Sequence, residues 1–184
     1  MDEPFSNLDR GLRGTIRAET IAPPRGLGTS VIMVTHDPIE ALSSGDQVVL
    51  MRSGRIVQAG SGRDLHDRPS CAYVAEFLCT FNKIEGMCAN GSVHMPLGQF
   101  EAPGFADGEQ ATVYIRPYGP QLDCEGPGLG CTTFDCTLRG EIEQIILALT
   151  ALPEPLKIRS TERRNLHVGD KARIRVAAGR VLVF

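Results

Sequence analysis

The chain has 184 residues, of which 42% are hydrophobic, so it is long enough for one or two domains with a packed core. Its formal charge of −3 at pH 7 supplies no basic field, which argues against nucleic acid as a partner. No apolar run approaches the roughly 18–20 residues that cross a bilayer, and the acidic, polar start does not resemble a secretory signal. A membrane role is therefore expected only through a partner.

The six cysteines contain no Cys-x-x-Cys pair, and a chain of this length does not need disulfides to fold. Reduced thiols are the expected state. Cys124, Cys131 and Cys136 are the closest in sequence, but their spacing matches no standard zinc pattern and no His lies near them. A metal centre is therefore not expected there.

Helix and strand signals alternate in the first part of the chain. Leu8, Leu12 and Ile16 recur every four residues and predict a helix that Pro23-Pro24 ends. "TSVIMVT" (29–35) is a continuous apolar, β-branched run, which is typical of a strand buried on both faces.

The next segments carry clear start and stop signals. In "HDPIEALSSG" (36–45), Asp37 can cap a helix, Pro38 suits its first turn, and Glu40 stands where a capping box has an acid. "QVVLM" and "RIVQAG" predict two strands joined by a hairpin turn at "RSG", and "PSCAYVAEFL" predicts a short amphipathic helix.

Helical periodicity becomes scarce near Phe81, so a domain boundary is expected at about residues 79–82. Short strand-like runs follow, separated by Gly and Pro, and "DCEGPGLGCTT" (123–133) is expected to be an exposed loop. This pattern predicts a small β-barrel or sandwich. The runs are "GSVHM", "ATVYIRP", "FDCTLRGEIEQIIL", "LKIRS", "KARIRV" and "RVLVF".

Residues with catalytic potential lie in the first part. Asp2 and Glu3 are adjacent carboxylates: the first can hold Mg²⁺ through water, and the second can orient or deprotonate a water for attack on a phosphoryl group. His36 directly follows the predicted buried strand, where it can hydrogen-bond a γ-phosphate. Each feature alone is weak, and their order and separation make the combination specific.

"DEPFSNLD", "VTHDPIEAL", "GRIVQAG" and "VAEFL" together resemble the ATPase subunit of an ATP-binding-cassette (ABC) importer. The resemblance implies that Asp2 is the Mg²⁺-associated acid at the end of the Walker B strand and that Glu3 is the catalytic base. It also implies that Asp9 is the D-loop acid facing a partner subunit and that His36 is the switch histidine.

The resemblance implies two domains. Residues 1–80 match the C-terminal part of an α/β P-loop NTPase nucleotide-binding domain. Residues 81–184 match an all-β, OB-like transport-associated (TOBE) regulatory domain through "NKIEG", "MPLGQF", "YIRPYGPQL" and "HVGDKARIRV". Two positions depart from the family: Arg116-Pro117-Tyr118 stands where Arg-Pro-Glu is usual, and Pro23-Pro24 interrupts a helix that the family continues.

No phosphate-binding loop is present in the sequence. The chain has three lysines, Lys83, Lys157 and Lys171, and Ile, Ile and Ala follow them, so none fits Gly-x-x-x-x-Gly-Lys-Ser/Thr. The family's glutamine loop and Leu-Ser-Gly-Gly-Gln signature are also absent. We therefore expect that Met1 stands at the end of the Walker B strand and that the isolated chain neither binds ATP tightly nor hydrolyses it.

A strand without its parallel neighbours would leave apolar faces uncovered, so dimerisation or disorder is expected in residues 1–30. For the complete protein the resemblance implies ATP and Mg²⁺ as cofactors. It implies transmembrane permease subunits and a second ATPase subunit as partners, and a cytoplasmic location at the inner face of the membrane. "DEPFSNLD" with "FLCTFNKIEG" favours an iron(III) importer, with sulfate, polyamine and phosphonate transport left open.

Two other functions remain open from the sequence. One is a regulatory binding module that senses a small anion or a metal, with four arginines as anion ligands unless they only form a solvated surface. The other is a dimerisation scaffold. The four arginines are Arg116, Arg139, Arg163 and Arg164.

Overall fold

The computed structural model describes residues 1–6, 8–9, 11, 14–16, 19–20 and 28–184. The chain divides into two compact units, Met1–Cys79 and Thr80–Phe184. Leu12 and Pro23-Pro24, which belong to the predicted first helix and its end, lie outside the described residues.

Residues 11, 14–16 and 19–20 of the first unit are helical, and its described residues from 28 onward form three short helices and one hairpin. The predicted helix after His36, the predicted hairpin and the predicted helix near residue 75 are confirmed, and α2, which Ser61 caps, is an addition. Within the described part of the chain, none of the helices has the length and apolar character needed to span a bilayer. The elements are α1 (Pro38–Ser44), β1 (Val48–Arg52), β2 (Arg55–Gly60), α2 (Gly62–Asp67) and α3 (Ala72–Leu78).

The hairpin turns at Ser53 and Gly54, whose φ angles are 50° and 76°. Positive φ at both central residues is the geometry that matches the twist of the flanking strands. The inner face of the hairpin packs against α2 and α3 in one apolar cluster, and burial of each such side chain stabilises by about 1.5–3 kcal/mol. The buried members are Leu50, Leu65, Val74 and Leu78.

The run at 29–35 does not form the predicted strand buried on both faces. It pairs only through one parallel bridge between Val34 and Asp2, and Ile32 and Val34 are 82% and 57% exposed. Burial on both faces requires strands on either side and covering helices. Among the described residues only Met1–Glu3 pairs with this run, so the prediction of burial is wrong, whereas the prediction of uncovered apolar faces is confirmed.

The second unit is built from antiparallel strands, as the sequence predicts for this half. They form two five-stranded sheets, with the orders β12-β6-β3-β4-β5 and β10-β9-β8-β11-β7. The strands are β3 (Asn82–Ala89), β4 (Ser92–Met95), β5 (Gly98–Glu101), β6 (Gln110–Ile115), β7 (Pro120–Asp123), β8 (Leu129–Arg139), β9 (Ile142–Ala148), β10 (Leu156–Ser160), β11 (Lys171–Val176) and β12 (Val181–Val183). A 3₁₀ turn, Ala178–Arg180, precedes the last strand.

Both sheets contribute to one hydrophobic core. Alternate residues of each strand point inward, so that in β11 Ala172 and Ile174 are buried while Lys171 and Arg173 are exposed. The core therefore fixes which face of each strand meets solvent. Its fully buried members include Val93, Val113 and Ile115 from one sheet and Ile145, Leu147 and Ile174 from the other.

The expected exposed loop at 123–133 is only partly a loop. Leu129 to Thr133 belong to β8, which pairs with β11, and only the preceding turn is loop. Gly128 has φ +141°, and a Cβ there would lie 2.7 Å from the Ile174 carbonyl oxygen. The prediction is wrong for residues 129–133 because glycine here permits close approach of two strands as well as a turn.

Thr133 provides a test of the core. Its side chain is 1% exposed, and its Oγ1 has no hydrogen-bond partner among the described residues. Since an unsatisfied buried hydroxyl costs about 1–3 kcal/mol, Thr133→Val is expected to raise the free energy of unfolding by about 1 kcal/mol in urea titrations. Thr132→Val, at the exposed neighbour, is the control and is expected to change it by less than about 0.5 kcal/mol. Destabilisation by Thr133→Val would show that the hydroxyl has a partner, such as a buried water.

Candidate functional site

Backbone hydrogen bonds hold the first three residues beside the run that leads to His36. The Met1 amine donates to the Ile32 carbonyl at 2.8 Å. The Val34 N–H donates to the Met1 carbonyl at 2.9 Å, and the Glu3 N–H donates to the Val34 carbonyl at 2.8 Å. The two segments therefore run in parallel and end side by side. The residues that follow them lie at the same edge, which is the C-terminal end of the paired segments.

The chain turns sharply after this pairing. Glu3 has φ +40°, a region that a residue with a side chain rarely adopts. The Ser6 N–H and Oγ both donate to the Glu3 carbonyl, at 3.3 and 3.1 Å, and close the turn. Phe5 is 1% exposed, so its burial anchors the turn and helps to hold Glu3 in this conformation.

A chain of hydrogen bonds fixes the backbone on either side of His36. The Asp37 N–H donates to Thr35 Oγ1 at 3.0 Å, and this hydroxyl donates to Glu40 Oε2 at 2.6 Å. Asp37 Oδ1 accepts from the Ile39 and Glu40 N–H groups at 2.8 and 3.3 Å, which confirms the predicted cap. One half of the predicted capping box, the bond from the Glu40 N–H to Asp37, is thus present, whereas the Glu40 carboxylate reaches the Asp37 N–H only through the Thr35 hydroxyl.

Glu3 and His36 meet at this edge. Glu3 Oε1 lies 2.6 Å from His36 Nδ1, and the two side chains are 44% and 74% exposed. The hydrogen bond to Glu3, and then the charge of Glu3, raise the pKa of His36 above its usual 6.5, and the charges of Asp37 and Glu40 add to this. Partial desolvation acts in the opposite direction.

The Glu3–His36 pair can offer both a hydrogen-bond donor and a carboxylate to a ligand. When Nδ1–H donates to Glu3, the other ring nitrogen is left to face solvent. In the protonated ring that Nε2–H is a donor suited to an anionic oxygen. The Glu3 carboxylate keeps a second oxygen that can orient a water molecule. The geometry thus joins a carboxylate base and an anion-directed donor at a single edge.

The remaining predicted site residues are near in sequence but not joined to this pair. Asp2 is exposed and contributes a backbone bridge to Val34, while Asp9 is exposed beyond the turn. In the described residues, no group of three or more His, Cys, Asp or Glu side chains converges as a metal site would require. The structure therefore brings Glu3 and His36 together and leaves the roles of Asp2 and Asp9 as predictions.

Thr35 and Glu40 position His36, and sequence reasoning gave neither residue this role. The sequence signal that could have indicated this role is a Thr two residues before the capping Asp37, together with a Glu three residues after Asp37. Glu40 is 2% exposed, which is unusual for a carboxylate and consistent with its charge-assisted bond from Thr35. Both residues act through the backbone next to His36.

Two of the four arginines for which anion binding or a solvated surface was left open are engaged in other contacts. The Arg116 guanidinium lies 5.2 Å from the centre of the Phe81 ring. Arg164 Nη1 donates to the Leu122 carbonyl at 3.1 Å, and its Nη2 lies 3.1 Å from Glu162 Oε2. These contacts compete with anion binding. The other two, Arg139 and Arg163, are exposed.

No family model matches the chain, but many curated proteins do. It is 39% identical over 140 residues to the Fe(3+) ions import ATP-binding protein FbpC of Streptomyces coelicolor, which covers 76% of this chain and 40% of that protein. It is 33% identical over 153 residues to the sulfate/thiosulfate import ATP-binding protein CysA of Caulobacter vibrioides, covering 83% and 43%.

A third relative aligns with nearly the whole chain. The sn-glycerol-3-phosphate import ATP-binding protein UgpC of Rhizobium meliloti is 31% identical over 186 residues, covering 97% of this chain and 51% of that protein. The chain thus spans about half the length of the curated relatives it matches. Among solved structures, the cytoplasmic molybdate-binding protein ModG aligns with 55% of the chain at a TM-score of 0.46 and 14% identity, a similarity too low to assign fold or ligand.

The Glu3–His36 contact predicts a pH dependence. Because the folded pKa of His36 is raised, the contact contributes stability that is fully present below about pH 6.5 and is lost as pH rises through the folded pKa. Glu3→Gln is expected to lower the pKa of His36 toward 6.5, measured from the His36 Cε1–H shift in an NMR titration. Asp9→Asn is the matched control and is expected to leave that titration unchanged. An unchanged titration in Glu3→Gln would show that the pair does not form in solution.

Proposed function

Since the chain is homologous over most of its length to the ATP-binding subunits of ABC importers, we propose that it is the C-terminal portion of such a subunit. One observation carries the proposal. The two side chains assigned by resemblance as catalytic base and switch histidine, 33 residues apart in sequence, lie 2.6 Å apart at one edge. A complete subunit of this kind would couple ATP hydrolysis to solute uptake.

In this role each residue has a separate task. Glu3 orients and deprotonates the attacking water, and His36 directs Nε2 toward a γ-phosphoryl oxygen. Asp2 offers an exposed carboxylate, a hard oxygen donor of the type that Mg²⁺ accepts while keeping several waters. Asp9 faces the second ATPase subunit. Bound Mg²⁺ and ATP would supply the charge-neutralising cation and the phosphoryl group.

We propose that these 184 residues alone do not hydrolyse ATP. Phosphoryl transfer depends on positioning and charge stabilisation, which a Gly-rich loop with a Lys provides. No lysine of this chain stands in such a loop. The Glu3 and His36 side chains are also 44% and 74% exposed, so solvent screens any field they exert on a phosphoryl group. ATP and Mg²⁺ are thus assigned to the complete protein.

The wider assignments follow from the same homology. We assign residues 1–80 to the remnant of a P-loop nucleotide-binding domain. Residues 81–184 are assigned to an OB-like TOBE regulatory domain, consistent with their antiparallel sheets. The proposed partners are permease subunits and a second ATPase subunit, in a homodimer at the cytoplasmic face of the membrane. Iron(III) is the favoured solute because the relative from Streptomyces coelicolor is named for Fe(3+) import.

The proposal predicts no turnover by the isolated chain. Wild type and Glu3→Gln are both expected to release phosphate from Mg²⁺-ATP at the buffer rate, because neither holds the triphosphate. The measurement is a coupled phosphate-release assay on the purified 184-residue chain, with a complete ATPase as the positive control.

Thermal denaturation with and without Mg²⁺-ATP separates binding from turnover. No nucleotide-dependent shift in Tm is expected for either protein. Magnesium-dependent release by wild type that Glu3→Gln abolishes would overturn the proposal of inactivity while supporting the assigned role of Glu3.

A further inference from the structure

The turn between β3 and β4 consists of Asn90 and Gly91, the only Asn-Gly pair in the sequence. Both residues have positive φ, 54° and 72°, so they form the two-residue hairpin turn in which Asn followed by Gly is preferred. Both are exposed. The tip of this hairpin therefore presents an asparagine side chain and the peptide nitrogen that follows it to solvent.

The two groups at this tip that can react with each other are unengaged. In the part of the chain that the structure describes, neither the Asn90 side-chain amide nor the Gly91 N–H forms a hydrogen bond. A Cβ built on Gly91 would meet nothing within 4 Å, so this side of the turn is open. The turn is held instead by the Asn90 N–H, which donates to Asp107 Oδ1 at 2.7 Å, and by the Gly91 carbonyl, which accepts from the Ala102 N–H at 3.0 Å.

We propose that Asn90 is a site of spontaneous deamidation whose isoaspartyl product weakens the β3–β4 hairpin. The Gly91 nitrogen loses its proton to hydroxide and attacks Asn90 Cγ, so a C–N bond forms and the side-chain nitrogen leaves as ammonia after taking a proton from water. Water then opens the succinimide ring. Opening at the former side-chain carbonyl gives Asp, and opening at the former main-chain carbonyl gives isoaspartate. Ring closure requires a backbone change that glycine tolerates because it has no Cβ.

The other asparagines lack this combination of properties. Asn82 is 8% exposed, and its side-chain amide bonds the Lys157 N–H and carbonyl at 2.7 and 2.9 Å. Asn165 is exposed and has φ 50°, but Leu166 follows it. Asn7 also precedes a leucine and lies outside the described residues. Asn165 is therefore a matched internal control that differs from Asn90 in the residue that supplies the attacking nitrogen.

Isoaspartate at this turn disturbs the core beneath the hairpin. Its main chain runs through Cβ and Cγ and is one atom longer, in a turn whose length sets the register of β3 and β4. That register pairs Cys88 with Val93, which are 2% and 0% exposed. The strands are closely packed here, since a Cβ at Gly86 would lie 2.5 Å from Val93 Cγ2. The product also adds a carboxylate to a turn already bonded to Asp107.

Peptide mapping of the folded 184-residue chain tests the proposal. The chain is incubated in neutral and in mildly alkaline buffer, digested, and analysed by mass spectrometry with electron-transfer fragmentation, which distinguishes isoaspartate from Asp. A sample digested without incubation corrects for modification during digestion. Deamidation is expected to be about tenfold or more faster at Asn90 than at Asn165, because Gly allows the required backbone change at little cost and Leu does not. It should accelerate as pH rises, since the Gly91 nitrogen must lose its proton.

Two variants separate the chemistry from its effect on the fold. Gly91→Ala is expected to suppress deamidation at Asn90, and Asn90→Asp supplies the added charge without the longer backbone. The isoaspartyl form, purified by chromatography, is expected to have a lower Tm than Asn90→Asp.

Equal rates at Asn90 and Asn165, or modification of Asn90 only in the urea-denatured chain, would overturn the proposed site. An isoaspartyl form with the same Tm as Asn90→Asp would overturn the proposed weakening of the hairpin. The wild-type comparison decides the site even if Gly91→Ala, which places a Cβ at φ 72°, folds poorly. The site lies in Thr80–Phe184 and stands independently of the proposed ATPase role.

Discussion

The candidate site depends on the parallel backbone pairing of Met1–Glu3 with Ile32–Val34. These hydrogen bonds end both segments at the same edge, so Glu3 and His36 face each other before any attraction between them acts. The side chains are too exposed for their ion pair to organise the chain, since exposed ion pairs contribute little to stability. The backbone positions the pair, and the pair in turn changes the protonation of His36.

Strand register has the same role in the second unit. The alternation that buries Ala172 and Ile174 in the shared core turns Lys171 and Arg173 outward. A slip of one residue would bury the cations and expose the core residues, so the register is strongly specified.

Local signals in the sequence predicted local structure well. The Asp37 cap, the Ser53-Gly54 turn and the strand-like run "KARIRV" each depend on residues close in sequence, and all appear as expected. Predictions that depended on distant neighbours were less reliable. Burial of the run at 29–35 requires strands on both sides of it. The length of β8 depends on the close approach of β11, which Gly128 permits because it has no side chain. The two hydrogen bonds of the Thr35 hydroxyl were not predicted, because the partners of a hydroxyl depend on the fold.

The apolar run at 29–35 and the Glu3–His36 pair share one physical property, which is exposure to solvent. Ile32 and Val34 are exposed within a few residues of His36, which itself stands mostly in solvent. Catalysis by a carboxylate and an imidazole is effective where water is excluded and donors are fixed, because a low dielectric strengthens their fields. A polypeptide surface that covered Ile32 and Val34 would also reduce the solvent around Glu3 and His36. The same contact would thus cover the apolar run and strengthen the electrostatics of the Glu3–His36 pair, so burial of the run and the chemistry of the pair are coupled in the first unit.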